Sequence, residues 1–298
     1  MEANRYFELK KHIQKLRGLS VLNAPAENHI PLLELAIKSY HFQTTTIDND
    51  VLYRSRINSK GYLFEHVGQL KYPDSTLVKH KGRLNDVGQS ILYASTSIAG
   101  TIIESRPSLS YVVTISKIKR KNDCFVYFLP LGFRNHDYGN PPSNKCHSLV
   151  SDYLNKELVK QITSEDEYNS SIAIYNFFMA KSLKYGPTKL DVRNISIAPN
   201  LGLLYPSVQS ELISNMTTYN IAMMPSIYEN YYKIFEADVY CLILDTDNDI
   251  VQLHLNNGVA SDDGRINWKF TFSEMVKRAS EGVDYFGHHE ECLKEIKF

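Results

Sequence analysis

The chain has 298 residues, 43% of them apolar and 22% charged, and its 33 Lys plus Arg balance its 33 Asp plus Glu. That length suits one large globular domain or two small ones, and the zero net charge gives no electrostatic case for direct binding to nucleic acid or to a membrane. The opening MEANRYFELKKHIQKL mixes charges without an apolar core, and no apolar run approaches bilayer length. Four scattered cysteines (Cys124, Cys146, Cys241, Cys292) form neither a disulfide framework nor a zinc pattern. The expected compartment is the cytoplasm, with reduced thiols and no metal.

In chain order, residues 4–18 and 29–40 read as helices, the second on the spacing of Ile30, Leu33, Ile37 and Tyr40, with Asn23 to Glu27 as the turn between them. Residues 51–57 alternate as a strand, and 58–80, holding Gly61, Gly68 and Pro73, reads as a long irregular loop. A short strand at 90–94 leads through a cap at Ser95 or Thr96 into a helix that reaches Glu104 and stops at Pro107. Strands follow at 110–117 and 124–129, with the basic run Lys117, Lys119, Arg120, Lys121 read as a strand end passing into a solvated turn. Residues 133–144 read as loop, 146–161 and 167–185 as helices, and 194–198, 202–206, 219–224, 237–244, 249–254 and 266–272 as strands. A last helix is expected from a cap at Ser273 to Glu281. Strands and helices mix without the regular alternation of a doubly wound sheet, so the fold class is α+β. The simplest division is a helical extension over 1–45 and a main domain over 46–298, with a helical insertion at about 135–185.

The chemistry-bearing stretch is Gly82-Arg83-Leu84-Asn85, then Gly88, then Ile91-Leu92-Tyr93-Ala94-Ser95, then Glu104. Upstream, Tyr53-Arg54-Ser55-Arg56 adds guanidinium groups, with Arg54 and Arg56 as rivals for one role. An arginine fork grips phosphate oxygens, a tyrosine ring stacks on a flat heterocycle, and a carboxylate bonds a ribose hydroxyl and stabilises positive charge on the ribose carbon. Cleavage of the nicotinamide–ribose bond of NAD needs that set. Glycosidases use two carboxylates, one of them to protonate the leaving group. Nicotinamide leaves NAD neutral, so a single carboxylate suffices. The plainer reading is a surface turn with a solvated glutamate.

Taken in order, Tyr53-Arg54, Gly82-Arg83-Leu84-Asn85, Gly88, Leu92-Tyr93-Ala94, Glu104, and later Gly202-Leu203-Leu204-Tyr205-Pro206-Ser207 with Asn220-Ile221-Ala222, the sequence resembles the RES-domain family across roughly Val51 to Leu244. The resemblance implies an ADP-ribosyltransferase-like core of short mixed and antiparallel strands with flanking helices. It also implies a toxin activity that destroys NAD by hydrolysis or phosphorolysis. Carried over residue by residue, Arg54 (or Arg56) and Arg83 hold the pyrophosphate or ribose, with Asn85 beside them. Tyr93 lines the nicotinamide side, Glu104 serves the ribose, and Ser207 completes the pocket. Catalysis would rest on Glu104, Arg83, Tyr93 and Ser207. NAD is then substrate and not a resident cofactor, inorganic phosphate is a possible co-substrate, and a protein antitoxin or inhibitor is the implied partner. Self-association is compatible with it. Residues 1–45 and the insertion have no counterpart in compact members of the family.

Two further readings use the same residues. Transfer of ADP-ribose to a macromolecule is one, although arginine-modifying transferases carry a second Glu where this chain has Ile102. A regulatory NAD-binding module without turnover is the other. Ser207 lacks the Gly-x-Ser-x-Gly elbow of a serine hydrolase. Asp245, Asp247 and Asp249 imitate a calcium loop but are followed by Ile250 and Asn256 where Gly and Glu are needed, so a hairpin turn is expected. His288, His289, Glu290, Glu291 and Cys292 read as a solvated cluster, and Cys146-His147 as mere sequence neighbours.

Overall fold

A computed structural model describes residues 2–37, 44–47, 51–58, 62–107, 111–121, 126–133, 145–185, 202–207, 218–244, 250–275 and 277. The expected strand at 194–198, Cys124, the three aspartates at 245, 247 and 249, and the 288–292 cluster lie outside them. In chain order the elements are α1 (Glu2–Val21), α2 (Ala26–Ile37), β1 (Val51–Ile57), β2 (Leu92–Ser95), α3 (Ile98–Ser105), β3 (Val112–Arg120), β4 (Phe128–Pro130), α4 (Lys145–Val159), α5 (Asn169–Tyr185), β5 (Gly202–Pro206), β6 (Tyr219–Met223), α6 (Pro225–Tyr231), β7 (Tyr232–Leu244), β8 (Ile250–Ala260) and β9 (Ile266–Trp268). The strands pair in both parallel and antiparallel fashion and are accompanied by helices, and the class is α+β. Among the described residues no helix is long and apolar enough to cross a membrane.

The chain forms two compact units: Met1–Asp48 with Pro73–Leu92 and Cys124–Tyr228, and Asn49–Tyr72 with Tyr93–Asp123 and Glu229–Phe298. In the first, α1, α2, α4 and α5 pack together. Leu9, Ile13 and Leu16 fall on one face of α1 and are buried, as are Leu33, Ala36 and Ile37 of α2 and Val150, Leu154 and Leu158 of α4. The N-terminal extension and the helical insertion, far apart in sequence, therefore share one helical core. Asn23 turns the chain between α1 and α2 with φ 51°, the left-handed conformation that Asn tolerates. The same unit holds β4 parallel to β5, and β6 antiparallel to β5.

The helical core encloses polar groups. Glu157 is buried and accepts from the hydroxyls of Ser20 (2.8 Å) and Ser170 (2.5 Å). His29 is wholly buried; its Nδ1–H donates to the Pro25 carbonyl at 3.2 Å, and Nε2 has no partner. Burial pushes its pKa down, against the opposing pull of the Pro25 carbonyl and Glu157. A histidine held below its unfolded pKa of about 6.5 is protonated more readily when the chain unfolds. Its contribution to stability is complete above that pH and lost as pH falls beneath it, by at most about 1.4 kcal/mol per pH unit. Chemical denaturation at pH 7.5 and 5.5 should show this loss in the native chain and a smaller one in His29→Leu. Equal losses in both would contradict the assignment.

The second unit is an antiparallel sheet in the order β2-β1-β3-β7-β8-β9. One face carries Tyr53, Val113, Ile115 and Tyr240, against which Ile98 and Ile102 of α3 pack. Ser55 lies on that face too: its hydroxyl donates to the Thr101 carbonyl at 2.9 Å. The other face carries Arg54, Arg56, Thr114, Ser116, Val239 and Cys241, by the alternation of the strands and their register.

Several boundaries differ from the sequence reading. Ser97, and not Ser95 or Thr96, caps α3, its hydroxyl accepting from Gly100 N–H at 3.0 Å. Arg106 ends α3 with φ 45°, one residue before Pro107. β3 continues through Arg120, because Lys117 is not at a solvated strand end but paired across the sheet to β7. β7 and β8 run longer than expected. The polar residue at Asn256 is accommodated within β8 because its side chain donates to the Phe270 carbonyl (2.9 Å) and accepts from Phe270 N–H (3.1 Å). The short α6 was not expected. The last helical turn is capped by Thr271 and not Ser273, through a reciprocal pair: Thr271 N–H to Glu274 (2.7 Å) and Glu274 N–H to Thr271 Oγ1 (3.3 Å).

Candidate functional site

The residues singled out in the sequence divide between the units: Arg54, Arg56, Tyr93 and Glu104 belong to the second, Arg83, Asn85 and Ser207 to the first.

In the second unit the pairing of β1 with β2 is carried by Tyr53 and Ser95. One step further the register would set Ser55 against Tyr93, but the strands part. Ser55 N–H donates to Thr101 Oγ1 of α3 at 2.9 Å, and the Tyr93 carbonyl accepts from Arg54 Nη1 at 2.8 Å. Arg54 Nε donates to the Leu70 carbonyl at 3.2 Å. One guanidinium thus spans the parting and ties it to the 62–72 segment.

Arg56, two residues on and on the same face, donates from Nη2 to the Lys71 carbonyl at 2.9 Å, and its Nε is buried without a partner. Among the described residues no carboxylate pairs with either arginine. Burial, then the neighbouring Arg56 charge, pushes Arg54 down to about 9, and burial also pushes Arg56 down. Arginine stays protonated in proteins, so these shifts express the cost of two adjacent, desolvated and unneutralised cations. Such a pair favours an anion, and the two differ in their partners. Arg54 is committed to two carbonyls, while Arg56 keeps donor capacity.

Glu104 stands exposed in the last turn of α3, the helix that covers the face opposite to Arg54 and Arg56. Neither arginine pairs with it. The structure brings Arg54 and Arg56 together on one face and sets the backbone carbonyl of Tyr93 on Arg54, while Glu104 lies apart from both arginines.

In the first unit Arg83 serves the end of α4. Its Nη1 donates to the carbonyls of Leu158 (2.8 Å) and Lys160 (3.1 Å), and its guanidinium carbon lies 5.8 Å from the Tyr168 ring centre. Those carbonyls are the ones a helix C-terminus leaves without intrahelical donors, and a cation there also meets the negative end of the helix dipole. Asn85 is buried; its Nδ2 donates to the carbonyls of Asp86 (3.1 Å) and His80 (3.4 Å), and its own carbonyl accepts from Gly82 N–H at 3.0 Å. Gly88 turns with φ 74°. Gly82-Arg83-Leu84-Asn85 is thus a turn welded to α4. Ser207 is wholly buried just after β5, its N–H directed to the Thr218 carbonyl at 3.4 Å.

Sequence reading missed a second polar cluster, on the α3 side of the sheet. Lys117 Nζ lies 2.8 Å from Asp238 and 3.1 Å from Glu236; Asn257 Nδ2 donates to Asp238 at 2.7 Å, and His254 Nε2 is 3.6 Å from it. Burial alone would raise the Asp238 carboxyl, but the donors of His254, Lys117 and Asn257 outweigh it and hold it well below the usual carboxylate range. The alternation Glu236, Asp238, Tyr240 is the sequence signal that places them on one face. Among the described residues no three His, Cys, Asp or Glu side chains are grouped as a metal requires.

Compared with family models, curated proteins and solved structures, the chain matches none.

Proposed function

We propose that this chain binds NAD through Arg56 and Tyr93 and cleaves its nicotinamide–ribose bond. The observation that carries the reading is the pair of desolvated guanidiniums, without a carboxylate partner among the described residues, where β1 and β2 part. The order of motifs resembling the RES domain supports it, and so does the class of fold. The ADP-ribosyltransferase-like arrangement, the toxin role, the cytoplasmic setting and a restraining antitoxin belong to the same proposal.

In the reaction the bond between the ribose anomeric carbon and the nicotinamide nitrogen breaks, and the bonding electron pair leaves with nicotinamide, which departs neutral. In hydrolysis the oxygen of water bonds to that carbon and gives up a proton to solvent; in phosphorolysis an unprotonated phosphate oxygen bonds to it and no proton is lost. The order of motifs assigns the pyrophosphate to Arg56, the nicotinamide side to Tyr93 and the developing positive charge on the ribose to Glu104, which lies across the sheet from Arg56. Purified protein incubated with NAD should release nicotinamide, and comparison with and without phosphate separates phosphorolysis from hydrolysis. No release in either condition defeats the proposal.

The separation of Glu104 from the arginines favours a second reading, an NAD-binding module without turnover. It is distinguished by saturable NAD binding with no nicotinamide released.

A further inference from the structure

The polar cluster on the α3 side of the second unit's sheet has no part in the proposed binding of NAD. Its centre is the buried Asp238 of β7, with Lys117 Nζ at 2.8 Å and Asn257 Nδ2 donating at 2.7 Å. Lys117 also meets Glu236 at 3.1 Å. His254 of β8 stands half-exposed beside them, with Nε2 3.6 Å from Asp238 Oδ1 and its ring edge-on to Tyr240, 5.1 Å between centroids. With Nε2–H turned to the carboxylate, Nδ1 is the nitrogen that can take up a proton. A bulge puts the histidine there. From Val239 to Tyr240 β7 advances one residue, while β8 steps from Asn256 to His254, with Leu255 as the extra residue. At regular register His254 would face Cys241, on the side of Arg54 and Arg56. The bulge interrupts the ladder, and Asp238 already has an ammonium and an amide closer to it than the imidazole. Stability alone does not call for a histidine on this face. It is also the one histidine in the strands of this sheet. Tyr240, against which its ring rests, packs on the cluster of Ile102, Val113 and Ile115, so α3 and His254 flank the same tyrosine.

We infer that the acceptor in the proposed cleavage is water, and that His254, backed by Asp238, is its general base. This rests on assigning the ribose to Glu104 of α3, the helix on the same side of the sheet, and it adds the co-substrate. As the water oxygen bonds to the anomeric carbon, one of its protons passes to His254 Nδ1, and nicotinamide leaves with the bonding electron pair. Asp238 faces the imidazolium so formed, which returns the proton to solvent. Phosphate already presents an unprotonated oxygen, so phosphorolysis would give this imidazole nothing to do.

The test follows nicotinamide release and the sugar product, with and without inorganic phosphate, in the full chain, in His254→Ala and in Asp238→Asn. The native chain should yield ADP-ribose at a rate that phosphate does not raise. His254→Ala should turn over about 100-fold more slowly or worse, the usual loss when a general base is removed. Imidazole added to the buffer should restore part of that loss, as it would not for a histidine that merely supports the fold. Asp238→Asn should lower kcat at least about tenfold with the Kd for ADP-ribose unchanged, because the amide no longer balances the imidazolium. A phosphorylated sugar as the native product, turnover indifferent to His254, or a loss that imidazole does not relieve overturns this inference and leaves the cleavage of NAD standing. A native chain that releases no nicotinamide overturns the cleavage itself, and the general base with it.

Discussion

Arg54→Ala should unfold at markedly lower denaturant than the native chain, with a stability loss of about 2–5 kcal/mol. The substitution takes a charged donor from the carbonyls of Tyr93 and Leu70 at the point where β1 and β2 separate, and each hydrogen bond to a charged group contributes about 1.5–3 kcal/mol. Relief of repulsion from Arg56 offsets part of this, since the two guanidiniums raise one another's cost. Arg56→Ala removes one donor from a carbonyl, ends the same repulsion and deletes a buried Nε that has no partner. Its loss should be under about 1 kcal/mol. Denaturant midpoints at unchanged slope would measure both. If the two variants lose equal stability, the distinction between a structural Arg54 and a ligand-facing Arg56 fails.

The second large effect is catalytic. Glu104→Gln should lower nicotinamide release by about 100- to 1,000-fold, the range seen when one group that stabilises transition-state charge is removed. ADP-ribose binding and the denaturant midpoint should be almost unchanged, because Glu104 is exposed near the end of α3 and outside the cluster formed by Ile98, Ile102, Val113 and Ile115. The three measurements belong together. A fall in turnover with intact binding places Glu104 on the reacting ribose. Turnover that survives the substitution removes Glu104 from the chemistry, whatever its place in the motif order.

The first unit offers a control. Arg83 holds the C-terminal carbonyls of α4, and Asn85 closes its turn, so both have a structural reason to be where they are. The same is true of the buried Ser207. The motifs that carry the family resemblance are therefore, in this unit, also the residues that hold loops to helices and strands. An arginine that caps a helix and one that binds phosphate read alike in sequence, since the same fork serves carbonyl and phosphate oxygens and only the fold supplies the partner.

Much of the fold was legible in local patterns. The strands at 51–57 and 202–206 agree with β1 and β5 to the residue, because period-two alternation and flanking turn residues are local signals. The helices of the N-terminal extension and of the insertion were legible for the same reason, by their three-to-four residue spacing. α6 was not, since seven residues carry too little periodicity to stand out. The length of β3 and the pairing of Lys117 were not either: a lysine reads as a strand end until β7 brings Asp238 and Glu236 alongside it.

The sequence by itself determined which residue types this stretch offers: guanidiniums on a strand, an aromatic after a turn, a carboxylate on the next helix. Tertiary structure decided which of them meet. Alternation along β1 sends Arg54 and Arg56 to one face while Ser55 binds Thr101 of α3 on the other, so α3 and Glu104 are separated from the arginines by the sheet itself. Choosing between Arg54 and Arg56 required the carbonyls of Leu70, Lys71 and Tyr93, and a carbonyl's direction is set by backbone geometry, to which side-chain identity is blind.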